Sequence, residues 1–147
     1  MADQRVLELI KQQLADQWNL FRDEHPGEDI DLSGADLRET NLGQMNLIRA
    51  DLRRADLSSA DLWRTSLSGA YLAEAKLCNA NLVEADLSYA DLSRADLSDA
   101  VLRGANLTGA LLTDTNLNRA DLCGANLREA IVTPGQLSTA KPLNDCL

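Results

Sequence analysis

"ADLSYADLSRADLSDA", residues 85–100, repeats one five-letter word three times. Leu87, Leu92 and Leu97 keep a five-residue spacing that runs far beyond this stretch. Leu stands at position 32 and at every fifth position through Leu127, twenty sites without a gap, and Val132 and Leu137 continue the register. With each Leu called position i, a small or modest residue sits at i−2, from Ala35, Thr40 and Met45 onward to Ala125. Asp or Asn usually sits at i−1.

A period of five suits neither ordinary element. On an α-helix five residues advance about 500°, so successive Leu side chains rotate away from any single face. On a straight strand, positions five apart point to opposite sides, although i−2 and i share one side. The consistent solution is a short extended piece holding Ala and Leu inward, then a corner. Repeated, that unit winds the chain into a solenoid, and internal repeats of this kind decide the architecture.

The words "ADLSYADLSRADLSDA" and "ADLRRADLSSADL" (residues 50–62) closely resemble the pentapeptide-repeat proteins, a family abundant in cyanobacteria. The match covers residues 30 to 132. The resemblance implies an all-β fold, a right-handed four-sided parallel β-helix with one pentapeptide per side and so about twenty residues per coil. An unbroken Leu32–Leu127 register then gives about five coils. At a strand spacing of ~4.8 Å the rod is roughly 24 Å tall.

The expected organisation has three parts: an N-terminal amphipathic helical cap at 1–29, the solenoid at 30–133 and a short C-terminal cap or tail at 134–147. Stacked coils leave open edges that invite pairing unless covered. Leu7, Ile10, Leu14, Trp18 and Phe21 recur at helical spacing within residues 3–24, with Val6 beside them, and "HPGED" (25–29) stops that helix. Beyond the solenoid, Pro134 and Gly135 turn the chain and Gln136–Lys141 makes a short helix. Such a tail opposes the end-to-end dimerisation seen in several relatives, so a monomer is expected.

Composition narrows the function. The chain has 147 residues, net charge −9 and a sequence pI near 4.5, against direct binding to nucleic acid or anionic lipid. No long apolar run marks a leader or membrane span in the first thirty residues, and the cytoplasm is the expected location. Cys78, Cys123 and Cys146 lack metal-like or redox-motif spacing and are expected to be free thiols. His25, the only histidine, sits beside Pro26 and Gly27 as a turn residue. Without a phosphate loop, HExxH, GxSxG or CxxC, the sequence offers no catalytic residue, cofactor site or metal site.

Some relatives imitate DNA in shape and charge and bind type II topoisomerases, which makes a DNA-mimic regulator of a DNA-binding enzyme the alternative function. The charge arithmetic opposes it. Residues 31–130 hold 15 acidic and 10 basic residues. Nine of the acids are i−1 aspartates, and six further i−1 sites are Asn, so the position asks for a short acceptor rather than a charge. With residues twenty apart aligned, Arg54, Glu74, Arg94 and Asp114 form an alternating column, as do Arg64 over Glu84 and Asp99 over Arg119. The expected function is a non-catalytic scaffold binding an unidentified protein. Its candidate docking patch is Trp63, Val83, Val101 and Arg103, with a second exposed patch at Tyr71, Tyr89 and Leu111.

Overall fold

The amide of Leu32 donates to the carbonyl of Asp51 at 2.8 Å, and the amide of Asp51 donates to the carbonyl of Ile30 at 2.8 Å. This pair of bonds is the repeating joint of the solenoid. In the computed structural model, which describes residues 1–142 and 146, parallel bridges pair each i−1 residue with the one twenty positions on. One face runs Asp31, Asp51, Tyr71, Asp91, Leu111, Ile131; the other three carry the rows starting at Asp36, Asn41 and Asn46. Among the described residues these bridges remain isolated single-residue contacts, with no longer strand. The all-β expectation is corrected to that extent: a corner every five residues leaves no room for a longer ladder.

Each corner is a β-turn closed by the i+3 amide on the carbonyl of i, as in Ala35 N–H to Leu32 O at 3.1 Å. Every i+2 residue from Gly34 to Glu129 has positive φ, whereas no i+1 residue does. A single positive φ at the second central residue is the type II pattern. Fifteen of these twenty i+2 residues are not glycine, and none of the twenty is Val, Ile or Thr. β-Branched side chains are the ones that left-handed backbone tolerates least.

The interior is a column of leucines. Leu32 through Leu102 are fully buried at every i site, flanked at i−2 by buried Ile30, Ala, Met45 or Thr. Thr65 and Thr115 keep their hydroxyls satisfied by donating to the carbonyls of Leu42 and Leu92. Each buried Leu contributes about 1.5–3 kcal/mol relative to exposure.

The N-terminal segment forms α1 (Gln4–Lys11) and α2 (Ala15–Glu24) rather than one continuous helix. Gln13, at φ 57°, breaks the run, and Leu14 is left half exposed instead of joining the apolar stripe. The break serves the first coil, since Gln13 Oε1 accepts the otherwise open amide of Asn41. Asn19 Oδ1 takes the amide of Asn46, Trp18 Nε1 donates to Asn46 O at 2.8 Å, and Arg22 donates to the carbonyl of Ile48. Val6, Ile10 and Trp18 are buried in the same cluster as the first-coil leucines.

At the other end α3 spans Pro134–Thr139, not Gln136–Lys141. Thr133 and Gln136 form its capping box, and Lys141 returns to the ladder by donating to Ala120 O at 2.9 Å. The expectation of three free thiols is corrected here. Cys123 and Cys146 form a disulfide with a Cα–Cα distance of 5.3 Å, leaving Cys78 free. Lys141 comes to lie under Asp121, so the tail passes beneath the side that carries Cys123, a proximity invisible in the linear spacing.

Three substitutions test this construction. Leu87→Ala, in mid-stack, lowers unfolding free energy by ~2–5 kcal/mol in urea titrations. Asn79→Val forces a β-branched residue to positive φ and costs roughly 1–2 kcal/mol, whereas Cys78→Val, one residue earlier, stays within about 0.5 kcal/mol.

Candidate functional site

Function on this solenoid depends on which side chains the turns leave free. At all nine Asp and all six Asn i−1 sites, Oδ1 accepts the amide two residues on, from Asp31 to Ser33 N–H at 2.9 Å through Asn126 to Arg128 N–H at 3.2 Å. These side chains are turn chemistry. Where an Asn lies one coil beyond an Asp, its amide also donates to that Asp Oδ1, as Asn81 does to Asp61, Asn106 to Asp86 and Asn116 to Asp96.

Adjacent aspartates share a row only at Asp31–Asp51 and Asp36–Asp56, and each pair has cations beside it. Arg53 bridges Asp51, Arg38 bridges Asp36, Lys76 lies 3.7 Å from Asp56, and the Met1 amine lies 3.6 Å from Asp31. The hydrogen bond from Arg38 holds the Asp36 carboxyl far below the ordinary range, and Arg53 lowers Asp51 in the same way. The hydroxyls of Ser33 and Ser58 lower Asp31 and Asp56. Burial acts to raise the Asp121 carboxyl, but the bonds from Arg103 and the Cys123 amide outweigh it and leave that group lowered. The alternating column also pairs, Arg54 with Glu74 at 3.2 Å and Arg94 with Glu74 at 3.9 Å, and on another face Arg119 pairs with Asp99 at 2.9 Å.

Five i−1 sites inside the repeat carry neither Asp nor Asn: Ser66, Tyr71, Lys76, Val101 and Leu111. The amides they would serve, those of Ser68, Ala73, Cys78, Arg103 and Thr113, have no partner among the described residues. At Tyr71, Val101 and Leu111 the chain therefore gives up a turn bond and gains an outward apolar group. All three belong to the two patches expected from the sequence.

The structure separates those patches. Trp63 and Val83 stack one coil apart, each only half exposed, and Arg64 lies over the Trp63 ring at 4.7 Å. Val101 is half-buried, and Arg103 is tied to Asp121 at 2.6 Å. The Tyr patch is far more open: Tyr71 is 50% exposed, Tyr89 65% and Leu111 37%. Ile131, 58% exposed on the same row as Tyr71 and Leu111, extends it. Sequence reasoning passed over Ile131 although the twenty-residue alignment points to it. Tyr89 reaches the edge differently, from a positive-φ corner two residues before Asp91. Its ring lies against Gly109, where an added Cβ would fall 2.6 Å from ring atoms.

His25 stacks on Phe21 with centroids 4.6 Å apart, at the C-terminal end of α2. Among the described residues no group of three His, Cys, Asp or Glu side chains is placed to hold a metal ion, and no helix is long and apolar enough to cross a membrane. One groove runs between residues 26–30 and the side bearing Ile48, Arg49, Gly69 and Tyr89.

The family model for pentapeptide repeats matches residues 28–64, 65–104 and 105–140 in eight copies. The chain belongs to the pentapeptide-repeat family. Its members form right-handed quadrilateral β-helices, and the twenty-residue bridges here trace a winding of four rows. Among solved structures, a pentapeptide repeat protein from the Arabidopsis thaliana thylakoid lumen is 34% identical, with TM-score 0.54 over 66% of this chain and 71% of that one. Rfr23 from the cyanobacterium Cyanothece is 29% identical over 81% of this chain and all of its own, with TM-score 0.38. HetL from Nostoc, involved in heterocyst differentiation regulation, is 29% identical over 78% and 84%, with TM-score 0.35. No curated protein matches the chain.

The lowered carboxylates set a pH dependence. A group whose folded pKa lies below its unfolded value stabilises the fold above the unfolded value, and that stability is lost as pH falls through the folded pKa. The urea midpoint therefore stays level from about pH 8 to about pH 5 and drops below about pH 4, near the unfolded Asp value. Asp121→Asn reduces the size of that drop.

Proposed function

We propose that this pentapeptide-repeat protein is a non-catalytic scaffold that docks a protein partner along the edge formed by Tyr71, Tyr89, Leu111 and Ile131. The observation that carries the reading is the posture of Tyr89, laid on Gly109 yet 65% exposed beside a row of open apolar groups. A large flat ring held in place loses little freedom on binding, which suits it as an anchor. Sacrificed turn bonds at Tyr71 and Leu111 support the same assignment, because a neutral surface has no use for that exchange. The Trp63, Val83, Val101 and Arg103 patch is the lesser candidate, since Arg64 and Asp121 already engage it.

The division into 1–29, 30–133 and 134–147, with about five coils between two covers, remains our reading of the domains. Side-chain bonds from Gln13, Trp18, Asn19 and Arg22 support it at one end, and Thr139 and Lys141 on the last coil support it at the other. Those tail contacts also favour a monomer. We also propose the cytoplasm as its compartment. The family does not set the compartment, since the Arabidopsis relative comes from the thylakoid lumen.

The DNA-mimic alternative needs a continuous negative stripe. Cations beside both adjacent aspartate pairs, and the Arg–Glu column, break such a stripe and favour the scaffold.

Affinity capture from the source cells, read by mass spectrometry, distinguishes the edges. Tyr71→Ser with Tyr89→Ser removes the partner bound by the unaltered chain, whereas Trp63→Ala with Val83→Ser keeps it. Retention of every partner by the tyrosine variant overturns the edge assignment. Salt-sensitive inhibition of gyrase supercoiling at micromolar protein overturns the scaffold in favour of the DNA mimic.

A further inference from the structure

The single cross-link among the described residues joins the tail to the solenoid. The six residues of α3 bury no side chain. Two bonds from Gln136 Nε2, to Leu112 O and Thr115 O, fasten the helix to the last coil. Arg119 N–H to Thr139 O at 2.8 Å and Lys141 N–H to Ala120 O at 2.9 Å fasten the end of α3 and the chain just beyond it. Each such bond adds little net stability, while ordering each tail residue costs as much or more. A cross-link that shortens the free excursion of the tail shifts that balance toward the docked state.

The docked tail occupies the place of a next coil. Lys141 N–H to Ala120 O continues the pattern of Asp121 N–H to Ala100 O, twenty residues on. Beneath it lie Leu117 and Leu122, 2% and 4% exposed. The two residues differ in exposure, with Cys146 exposed and Cys123 half-buried.

We propose that Cys123–Cys146 is a thiol-exchangeable latch: oxidised, it holds the tail across the edge of the last coil; reduced, it releases the tail from that edge. Cys146, the more exposed of the two residues, is the point of attack for a dithiol reductant. A reductant thiolate bonds to Cys146 Sγ, the Cys123–Cys146 bond breaks, and its electron pair leaves with Cys123, which takes up a proton. The second reductant thiol then displaces Cys146, which leaves as a thiol, and the reductant departs as its own disulfide. In the cytoplasm, where lasting disulfides are uncommon, such a pair reports the thiol balance. The latch itself does not depend on the docking edge or its partner.

Amide exchange on the full chain, with and without dithiothreitol, tests the latch. Reduction speeds exchange at Arg119 and Lys141 by roughly tenfold or more, and leaves the mid-stack amides of Leu87, Leu92 and Leu97 unchanged. Cys146→Ser shows the fast exchange without reductant and no response to it, while Cys78→Ser behaves as the unaltered chain. Equal protection of Arg119 and Lys141 in both states overturns the proposal, as do three titratable thiols under oxidising conditions. Loss of protection through the whole stack on reduction also overturns it, because the bond is then a general staple rather than a latch.

Discussion

The bond from an i−1 carboxylate or amide oxygen to the amide two residues on is the constraint around which this solenoid is organised. Each pentapeptide has five N–H groups to place. Three enter the ladders between coils: those of i and i+2 donate to one neighbouring coil, and that of i−1 donates to the other. A fourth, at i−2, closes the preceding turn. The fifth, at i+1, points into a corner where no backbone acceptor lies, and only the i−1 side chain reaches it. Asp and Asn are short enough to do so, which explains why either serves and why charge is incidental.

The same accounting explains how identity is written onto so monotonous a chain. Positions i and i−2 are spent on the core, and i+2 is held at positive φ, where β-branched residues are excluded. Position i+1 is free, and Trp63 and Val83 use it. Position i−1 is free only where the turn bond is given up. That exchange produces Tyr71, Val101 and Leu111, so the departures from the repeat mark the surface more reliably than its acidity does.

The ends obey a different physics. An open coil has unpaired backbone groups along its edges, and the chain covers them with side chains instead of another coil. Gln13, Trp18, Asn19 and Arg22 act as substitute ladder partners at the first coil. At the last coil the cover is thinner, with Leu127 and Val132 only half-buried, and a disulfide assists it.

The five-residue Leu spacing by itself determined the solenoid and its buried column, because a strict period leaves one way to bury every Leu. It determined the i−1 acceptor as well, while the pairing of Arg54 with Glu74 followed only from the twenty-residue coil that the family resemblance implies. Outside the period that inference lapses. The break of the N-terminal segment at Gln13, the half-burial of Trp63 beneath Arg64 and the meeting of Cys123 with Cys146 were decided only by the tertiary structure. Each depends on what an irregular segment meets when it packs on the regular one, and local sequence holds no record of that surface.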